Sequence, residues 1–246
     1  MKPSSTFSFK SQTFVDLTHP LNAQVATWVG SCGFQHILKR DHDDCSTQTK
    51  FRSFRVEMNA GIGTHMDAPT HCFPNGISIA EIPLKELVLP IVVLNVAEKA
   101  DVDYQITVQD VLDFESKHGL IPSRSLVIGY TGWSRFWNAP EKYRNADSSG
   151  QVHFPTFSKE AAQILFERKI SGIGIDTLSP DTGTLGYFPT HEIFLGAGKY
   201  IIENVANADL LPPVGAWAIA LPLKIENGSE APVRLIGFYE EFTDEH

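Results

Sequence analysis

The chain lacks any run of positive charge and is poor in cysteine. Its formal net charge is −9 at pH 7, and no stretch concentrates lysine or arginine. Nucleic-acid binding is therefore not expected, because that function needs a basic surface to meet the phosphates. The three cysteines, Cys32, Cys45 and Cys72, form no C-x-x-C pair and are odd in number. They indicate free thiols in a reducing compartment, so we expect a cytoplasmic protein.

Long apolar runs and nucleotide-binding motifs are also missing. No stretch approaches about 18 uninterrupted apolar residues, and MKPSSTFSFKSQTF lacks the apolar centre of a signal peptide, so we expect neither a membrane span nor secretion. TGTLGYF (182–188) lacks G-x-G-x-x-G spacing, and no glycine-rich loop opens a predicted helix. We therefore expect no nucleotide cofactor. No G-x-S-x-G elbow is present for a serine nucleophile.

What the chain does contain is an alternation of strand-like and helix-like segments. Apolar runs of strand length occupy 87–96, 126–131 and 170–177, and further strand patterns follow at 215–223 and 233–242. Thr107 and Ser158 are placed to cap two helices between these runs. FRSFRVEMN (51–59) alternates apolar and polar residues, which predicts a half-buried strand. The order of segments predicts an α/β fold with a mixed sheet.

The segment 134–154 is polar, rich in turn residues and aromatic. This composition predicts a surface loop, and such loops often carry binding residues. The aromatic side chains at its start and just before it are expected to line a pocket or a subunit contact; they are Tyr130, Trp133, Phe136 and Trp137.

GTHMDAPTH (63–71) is the most informative stretch for chemistry. In an extended segment, His65, Asp67 and His71 would share one face. Imidazole and carboxylate side chains on one face suit Zn²⁺ or Mn²⁺. Gly61 and Gly63 would leave room there for an ion and a substrate. The alternative is a polar edge in which Asp67 accepts hydrogen bonds from the imidazoles.

This stretch resembles the signature of the cyclase family of metal-dependent hydrolases, H-x-G-T-H-x-D-x-P-x-H, a family that includes bacterial kynurenine formamidase and isatin hydrolase. The matching residues are Gly63, Thr64, His65, Asp67, Pro69 and His71, whereas position 61 is glycine instead of the first histidine. The resemblance extends over most of the chain, through FVDLTHPLNAQVATW, VIGYTGWSRFW, IGIDTLSPD and FPTHEIFLGAGKYIIENVAN.

The resemblance implies roles for individual residues. The implied metal ligands are His65, Asp67, His191 and Glu203. His71 falls at the position of the proton shuttle, and Trp28 at that of an aromatic residue that contacts substrate. Other roles stay open for four of them: His71 as a structural imidazole, His191 as the cap of a turn, Glu203 as a solvated edge residue and Trp28 as an ordinary core side chain.

Geometry adds one condition for His191 and Glu203, which lie 12 residues apart. On one continuous helix they would be separated by about 18 Å, too far for a shared ion. The chain must therefore reverse between them, and Gly196 and Gly198 are where it can do so.

Gly61 changes what the resemblance implies about metal content. The family pattern provides two metal positions bridged by the aspartate, and the first histidine belongs to one of them. Glycine offers no ligand, so we expect one tight ion or an unequal pair, unless another group reaches in. Glu57 and Asn59 lie nearby in sequence.

The resemblance also implies the overall architecture and activity. We expect residues 1–246 to form a single α/β domain of the swivelling β/β/α type, with a mixed sheet, flanking helices and assembly into homodimers or homotetramers. The expected activity is hydrolysis of an amide, or a cyclic amide or ester, of a small aromatic molecule, with Zn²⁺ or Mn²⁺. The alternative is a small-molecule binding or regulatory protein that has lost turnover with the missing histidine.

Overall fold

The computed structural model describes residues 12–31, 33–182 and 186–240. Its strands are β1 (Gln12–Asp16), β2 (Gln35–Arg40), β3 (Ser53–Glu57), β4 (His65–Asp67), β5 (Val88–Asn95), β6 (Gln105–Ile106), β7 (Leu126–Tyr130), β8 (Thr156–Phe157), β9 (Gly172–Ile175), β10 (Tyr200–Glu203), β11 (Ala216–Pro222) and β12 (Glu230–Glu240). Its α-helices are α1 (Val108–His118), α2 (Pro140–Arg144), α3 (Lys159–Glu167) and α4 (Pro189–Gly196). Strands and helices alternate through the middle of the chain, as predicted.

The main sheet closes on itself. Its eight strands follow the order β1-β12-β11-β5-β7-β9-β10-β4, and β4 pairs with β12 as well. This extra pairing joins all strands except β1 into a ring. The neighbours β5, β7, β9 and β10 run parallel to one another, whereas the remaining pairs are antiparallel. The sheet is therefore mixed, which confirms the prediction.

The two predicted helix starts are capped as expected. The Thr107 hydroxyl accepts a hydrogen bond from the backbone N–H of Asp110, and the Asp110 carboxylate accepts one from the Thr107 N–H at 2.7 Å. This reciprocal pair satisfies donors that the first turn of α1 leaves free. Ser158 accepts from the N–H of Ala161 at the start of α3. In the described part of the chain, no helix combines the length and apolar character that crossing a membrane requires.

Successive residues of the central strands point to two different hydrophobic clusters. Ile91 and Val93 of β5 belong to the cluster formed by side chains of the strand ring, while Val92 and Leu94 pack under α1 and α3. Alternation across a pleated strand produces this division. Because both faces of β5 are covered, its sequence is almost continuously apolar.

The prediction of a surface loop over 134–154 holds for its polar residues but is wrong for its aromatic ones. The aromatic side chains of this region are buried in a third cluster, which includes Trp133, Trp137, Tyr143 and Phe154, and α2 forms within it. The indole N–H of Trp133 donates to the Tyr143 carbonyl at 2.9 Å. Polar residues between the aromatic ones occupy turns, which is why the segment looks like a surface loop. Trp133 and Trp137 thus give no reason to expect a subunit contact, and assembly stays a prediction.

The strand predicted within residues 51–59 is present, but the prediction that it is half-buried is wrong. Strand β3 is exposed along its whole length and pairs with β2 in a separate two-stranded ribbon. Phe54 and Val56 are 42% and 49% exposed. Alternation alone cannot distinguish a strand with one covered face from such a ribbon, because burial depends on whether another layer packs over it.

Candidate metal centre

Strand β4 brings the signature to the point where the ring closes. It lies between β10 and β12, so that His65 is opposite Glu203 and Asp67 is opposite Glu230. Helix α4 adds His191. The four residues that the resemblance implies as ligands, His65, Asp67, His191 and Glu203, are each at most 7% exposed. The structure therefore brings all four together in one buried group.

The path of the chain agrees with the expected reversal. Helix α4 ends at Gly196, Gly198 has φ +74°, and β10 begins at Tyr200. A residue with this positive φ is most easily glycine. The turn returns Glu203 to His191, which a continuous helix could not do.

His71 reaches the site in a different way from the one predicted. Strand β4 ends at Asp67, and Pro69–His71 form a turn of 3₁₀-helix with Pro69 at its start. The expectation of three alternating side chains on one extended edge is therefore wrong for His71. The turn still places ring nitrogens of His71 and His191 and a carboxylate oxygen of Asp67 within 4.8 Å of one another.

Each central carboxylate faces both buried imidazoles. The Nε2 atom of His65 lies 3.5 Å from Oδ1 of Asp67 and 3.2 Å from Oε2 of Glu203. The Nε2 atom of His191 lies 3.7 Å from Oδ2 of Asp67 and 3.6 Å from Oε1 of Glu203. Oδ1 of Asp67 is buried and has no hydrogen-bond partner in the described part of the chain. An unpaired buried carboxylate oxygen is costly, so this atom needs a positively charged neighbour.

The far side of each imidazole is fixed by a hydrogen bond. Nδ1 of His65 lies 2.9 Å from the carbonyl of Gly63, and Nδ1 of His191 lies 2.8 Å from Oδ2 of Asp181. Because Nδ1–H donates in each case, Nε2 is the nitrogen that faces the centre, where the neutral ring offers its lone pair. Sequence analysis missed Asp181. It is the last residue of IGIDTLSPD, six residues beyond the end of β9, and its place in that family-like segment was the available signal.

The electrostatic field of the group also favours a cation. Burial acts to lower the pKa of His65, but Asp67 and Glu203 outweigh it and raise the pKa of His65 to about 10. Burial likewise opposes Asp181, Glu203 and Asp67, which raise the pKa of His191 to about 9. Burial, then Glu203, raises the pKa of Asp67. The nitrogen and oxygen donors around the unpaired Oδ1 therefore fit a divalent metal ion.

A cavity of about 510 Å³ opens onto this group. Trp28 lies on its wall and is 39% exposed, so it is not an ordinary core residue. Its ring centroid is 6.0 Å from that of Phe188, which also lines the cavity. Phe188 was not predicted, because no sequence pattern distinguishes it from a core aromatic residue. The two rings form an aromatic wall near the candidate ligands.

Buried polar residues next to the cavity support the signature. Asn204 donates to the Gly63 carbonyl at 2.8 Å and accepts from the Tyr143 hydroxyl at 2.9 Å. Asp176 accepts from the backbone N–H groups of Thr131 and Ser134.

The two glycines differ in their roles. A Cβ atom at Gly63 would lie 2.4 Å from Cδ2 of Leu21, and Gly63 has φ +62°. The expectation that Gly63 makes room for an ion is therefore wrong, since its conformation and the contact with Leu21 require glycine. Gly61 does line the cavity.

Comparison with known proteins places this geometry in a family. The family model named Cyclase matches residues 15–182. Isatin hydrolase from Roseibium aggregatum is 31% identical over 185 residues, which is 71% of this chain and 70% of that protein. Kynurenine formamidase from Bacillus cereus is 24% identical over 227 residues, which is 92% of this chain and 98% of that protein.

A solved structure agrees with the sequence comparison. Isatin hydrolase A from Labrenzia aggregata, bound to benzyl benzoate, has a TM-score of 0.84 and 33% identity, and the match covers 94% of this chain and 95% of that one. This likeness confirms the expected fold class. Together with a family match over more than half of the sequence, it shows that the chain belongs to the cyclase family.

Proposed function

We propose that the chain is a metal-dependent hydrolase that cleaves the carbon–nitrogen bond of an amide, or a cyclic amide or ester, in a small aromatic molecule. The observation that carries this proposal is the buried Oδ1 of Asp67, which lacks a hydrogen-bond partner in the described residues and faces Nε2 of His65. Relatives named isatin hydrolase and kynurenine formamidase support the bond type.

The residues that would hold the ion are His65, Asp67, His191 and Glu203. Their nitrogen and carboxylate donors suit Zn²⁺ or Mn²⁺. When bound, such an ion would supply positive charge that acidifies a neighbouring water and stabilises negative charge on the substrate oxygen. Asp181 would keep the His191 ring in place, and the Gly63 carbonyl would do the same for His65.

His71 is the group placed to move protons. It lies at the edge of the cavity, with its side chain 35% exposed and its ring centroid 6.2 Å from that of His191. It would accept a proton from water as the new oxygen–carbon bond forms, and return it to the leaving nitrogen or oxygen as the old bond breaks. Trp28 and Phe188 would orient a flat substrate by ring contacts.

His71→Ala tests this assignment. We expect kcat for isatin or an N-formyl arylamine to fall about 10²- to 10⁴-fold, because the proton transfer loses its carrier. Metal content measured by elemental analysis should not change. His118→Ala, at an exposed position at the end of α1, is the matched control and should retain the wild-type rate.

The competing function is that of a binding or regulatory protein without turnover. Wild-type protein loaded with Zn²⁺ or Mn²⁺ that binds these aromatic compounds but hydrolyses none of them would favour that alternative. A wild-type rate that survives in His71→Ala would instead retain the hydrolase and remove His71 from its mechanism.

A further inference from the structure

Gly61 stands where the family signature has a histidine, yet the space beside it is filled. A Cβ atom at Gly61 would lie 2.6 Å from Oε2 of Glu230 and 2.9 Å from its Cδ. The carboxylate of Glu230 therefore occupies the volume into which a side chain at position 61 would extend. Both residues line the cavity that opens onto the metal centre.

The sheet fixes Glu230 in this position. It is directly opposite Asp67 in the antiparallel pair of β4 and β12, and the N–H of Ala68 donates to the Ser229 carbonyl at 2.8 Å. Residues directly opposite each other project from the same face of a sheet. The next pair, Met66 and Ala231, is completely buried on the other face. The backbone thus directs Glu230 to the side of the sheet that carries Asp67.

The carboxylate also lies close enough to the signature to share an ion with it. One donor atom each from His65, Asp67 and Glu230 can be chosen so that all three lie within 4.8 Å of one another. The two oxygens of Asp67 point in different directions, Oδ1 towards His65 and Oδ2 towards His191. Asp67 therefore stands between two groups of donors, one containing Glu230 and the other containing His191 and Glu203.

We propose that Glu230 supplies the metal ligand that position 61 lacks, so that each chain binds two divalent cations. This inference rests on the proposed function only in taking the buried group as a metal centre. One cation would be held by His65, Asp67 and Glu230, and the other by Asp67, His191 and Glu203. The centre then contains three carboxylates, and oxygen donors favour Mn²⁺ over Zn²⁺ at the position of Glu230.

The Glu230 carboxylate also faces His71. Its Oε2 lies 3.5 Å from Nδ1 of His71. A carboxylate that served only to orient His71 would leave the metal content unchanged when it is replaced. Metal content therefore distinguishes a ligand from an orienting residue, whereas activity alone would not.

The experiment loads metal-stripped protein with MnCl₂, removes unbound ions and measures manganese per chain. We expect two ions in the wild type, with the electron paramagnetic resonance signal of a coupled pair, and one ion in Glu230→Gln. Glu240→Gln changes an exposed glutamate at the other end of the same strand and should retain two. One ion in the wild type, or two in Glu230→Gln, would overturn the proposal.

Two further variants keep the test valid if Glu230→Gln folds poorly. Gly61→Ala leaves Glu230 in the chain but places a methyl group against its carboxylate, so the second Mn²⁺ should bind at least tenfold more weakly. Gly61→His combined with Glu230→Ala should recover two ions by returning a histidine to the vacated space. Unchanged affinity in Gly61→Ala would contradict the assignment.

The outcomes also separate this inference from the proposed function. Turnover of aromatic amides by a wild type that holds one ion would retain the function and reject the role of Glu230. Two ions that depend on Glu230, without turnover of any such substrate, would retain the ligand assignment and reject the hydrolase.

Discussion

Asp181 shows how one carboxylate can serve a local structure and a distant site together. Its Oδ1 accepts from the N–H of Thr190, and its Oδ2 accepts from the N–H and the ring Nδ1–H of His191. The backbone contacts stabilise the first turn of α4, where N–H groups have no partner within the helix. The ring contact fixes which nitrogen of His191 faces the centre.

Asp181→Asn should therefore weaken metal binding more than it weakens the fold. An asparagine oxygen can still accept from the N–H groups of a helix start, but it supports the imidazole less strongly than a carboxylate does. We expect about a 10- to 100-fold loss of affinity for Mn²⁺, measured by competition with a chromophoric chelator. The exposed Asp113→Asn is the control. Affinity within twofold of the wild type would show that Asp181 does not act through His191.

At the scale of elements, local signals predicted those parts of the fold that local interactions determine. Helix α1 follows from the pairing of Thr107 with Asp110, and β5 from a continuous apolar run. The reversal between His191 and Glu203 follows from distance and Gly198. These predictions succeed because the interacting residues are close in sequence.

The missed features depend on contacts between distant segments. Glu230 approaches Gly61 only because β12 pairs with β4. No sequence pattern around Glu230 predicts that pairing. Trp137 and Tyr143 are buried in a cluster that also contains Val25 and Ile62, which are distant in the sequence. Sequence patterns identify the residue types of the candidate metal centre, but they cannot place the carboxylate that faces Gly61.

Gly63 lies just before β4, which carries His65 and Asp67. Gly63→Ala tests whether this position requires glycine. Alanine would need a left-handed conformation and would place its methyl group 2.4 Å from Cδ2 of Leu21. We expect the free energy of unfolding in urea to fall by about 2–3 kcal/mol. Gly150→Ala is the control, because Gly150 has φ +88° and, apart from its chain neighbours, no described residue has an atom within 4 Å of a Cβ there. It should lose about 1–2 kcal/mol. Equal losses in the two variants would exclude any contribution from Leu21.

At the scale of the whole molecule, the site is completed where the strand ring closes. Strand β4 carries His65 and Asp67, β10 carries Glu203, and β12 carries Glu230 at its first residue. Because these strands are far apart in the sequence, the centre can form only when the ring has closed. Groups that stabilise the packing around this closure therefore affect the site without touching it, and His19 is one of them.

His19 lies beside the signature without belonging to the metal centre. Its backbone N–H donates to the Thr64 hydroxyl at 2.9 Å, and its ring stacks on Trp137 with centroids 4.0 Å apart. Its buried Nε2 has no hydrogen-bond partner among the described residues. Burial is the main cause that lowers the pKa of His19 to about 4, against an opposing attraction by Asp16. The fold therefore holds this imidazole neutral.

This shift predicts a loss of stability in mild acid. Between about pH 6.5 and pH 4 the unfolded chain binds a proton at His19 that the folded chain does not, so the free energy of unfolding decreases as pH falls through this window. From pH 7 to pH 5, we expect His19 to account for a loss of about 1–2 kcal/mol in metal-free protein. His19→Phe keeps a ring against Trp137 but cannot titrate. Between pH 7 and pH 5, its free energy of unfolding, measured in urea, should therefore fall by about 1–2 kcal/mol less than that of the wild type. The other histidines, including His65 and His191 with their raised pKa values, are common to both proteins and cancel in the comparison. Identical pH dependence in the two proteins would show that His19 is protonated equally in the folded and unfolded states.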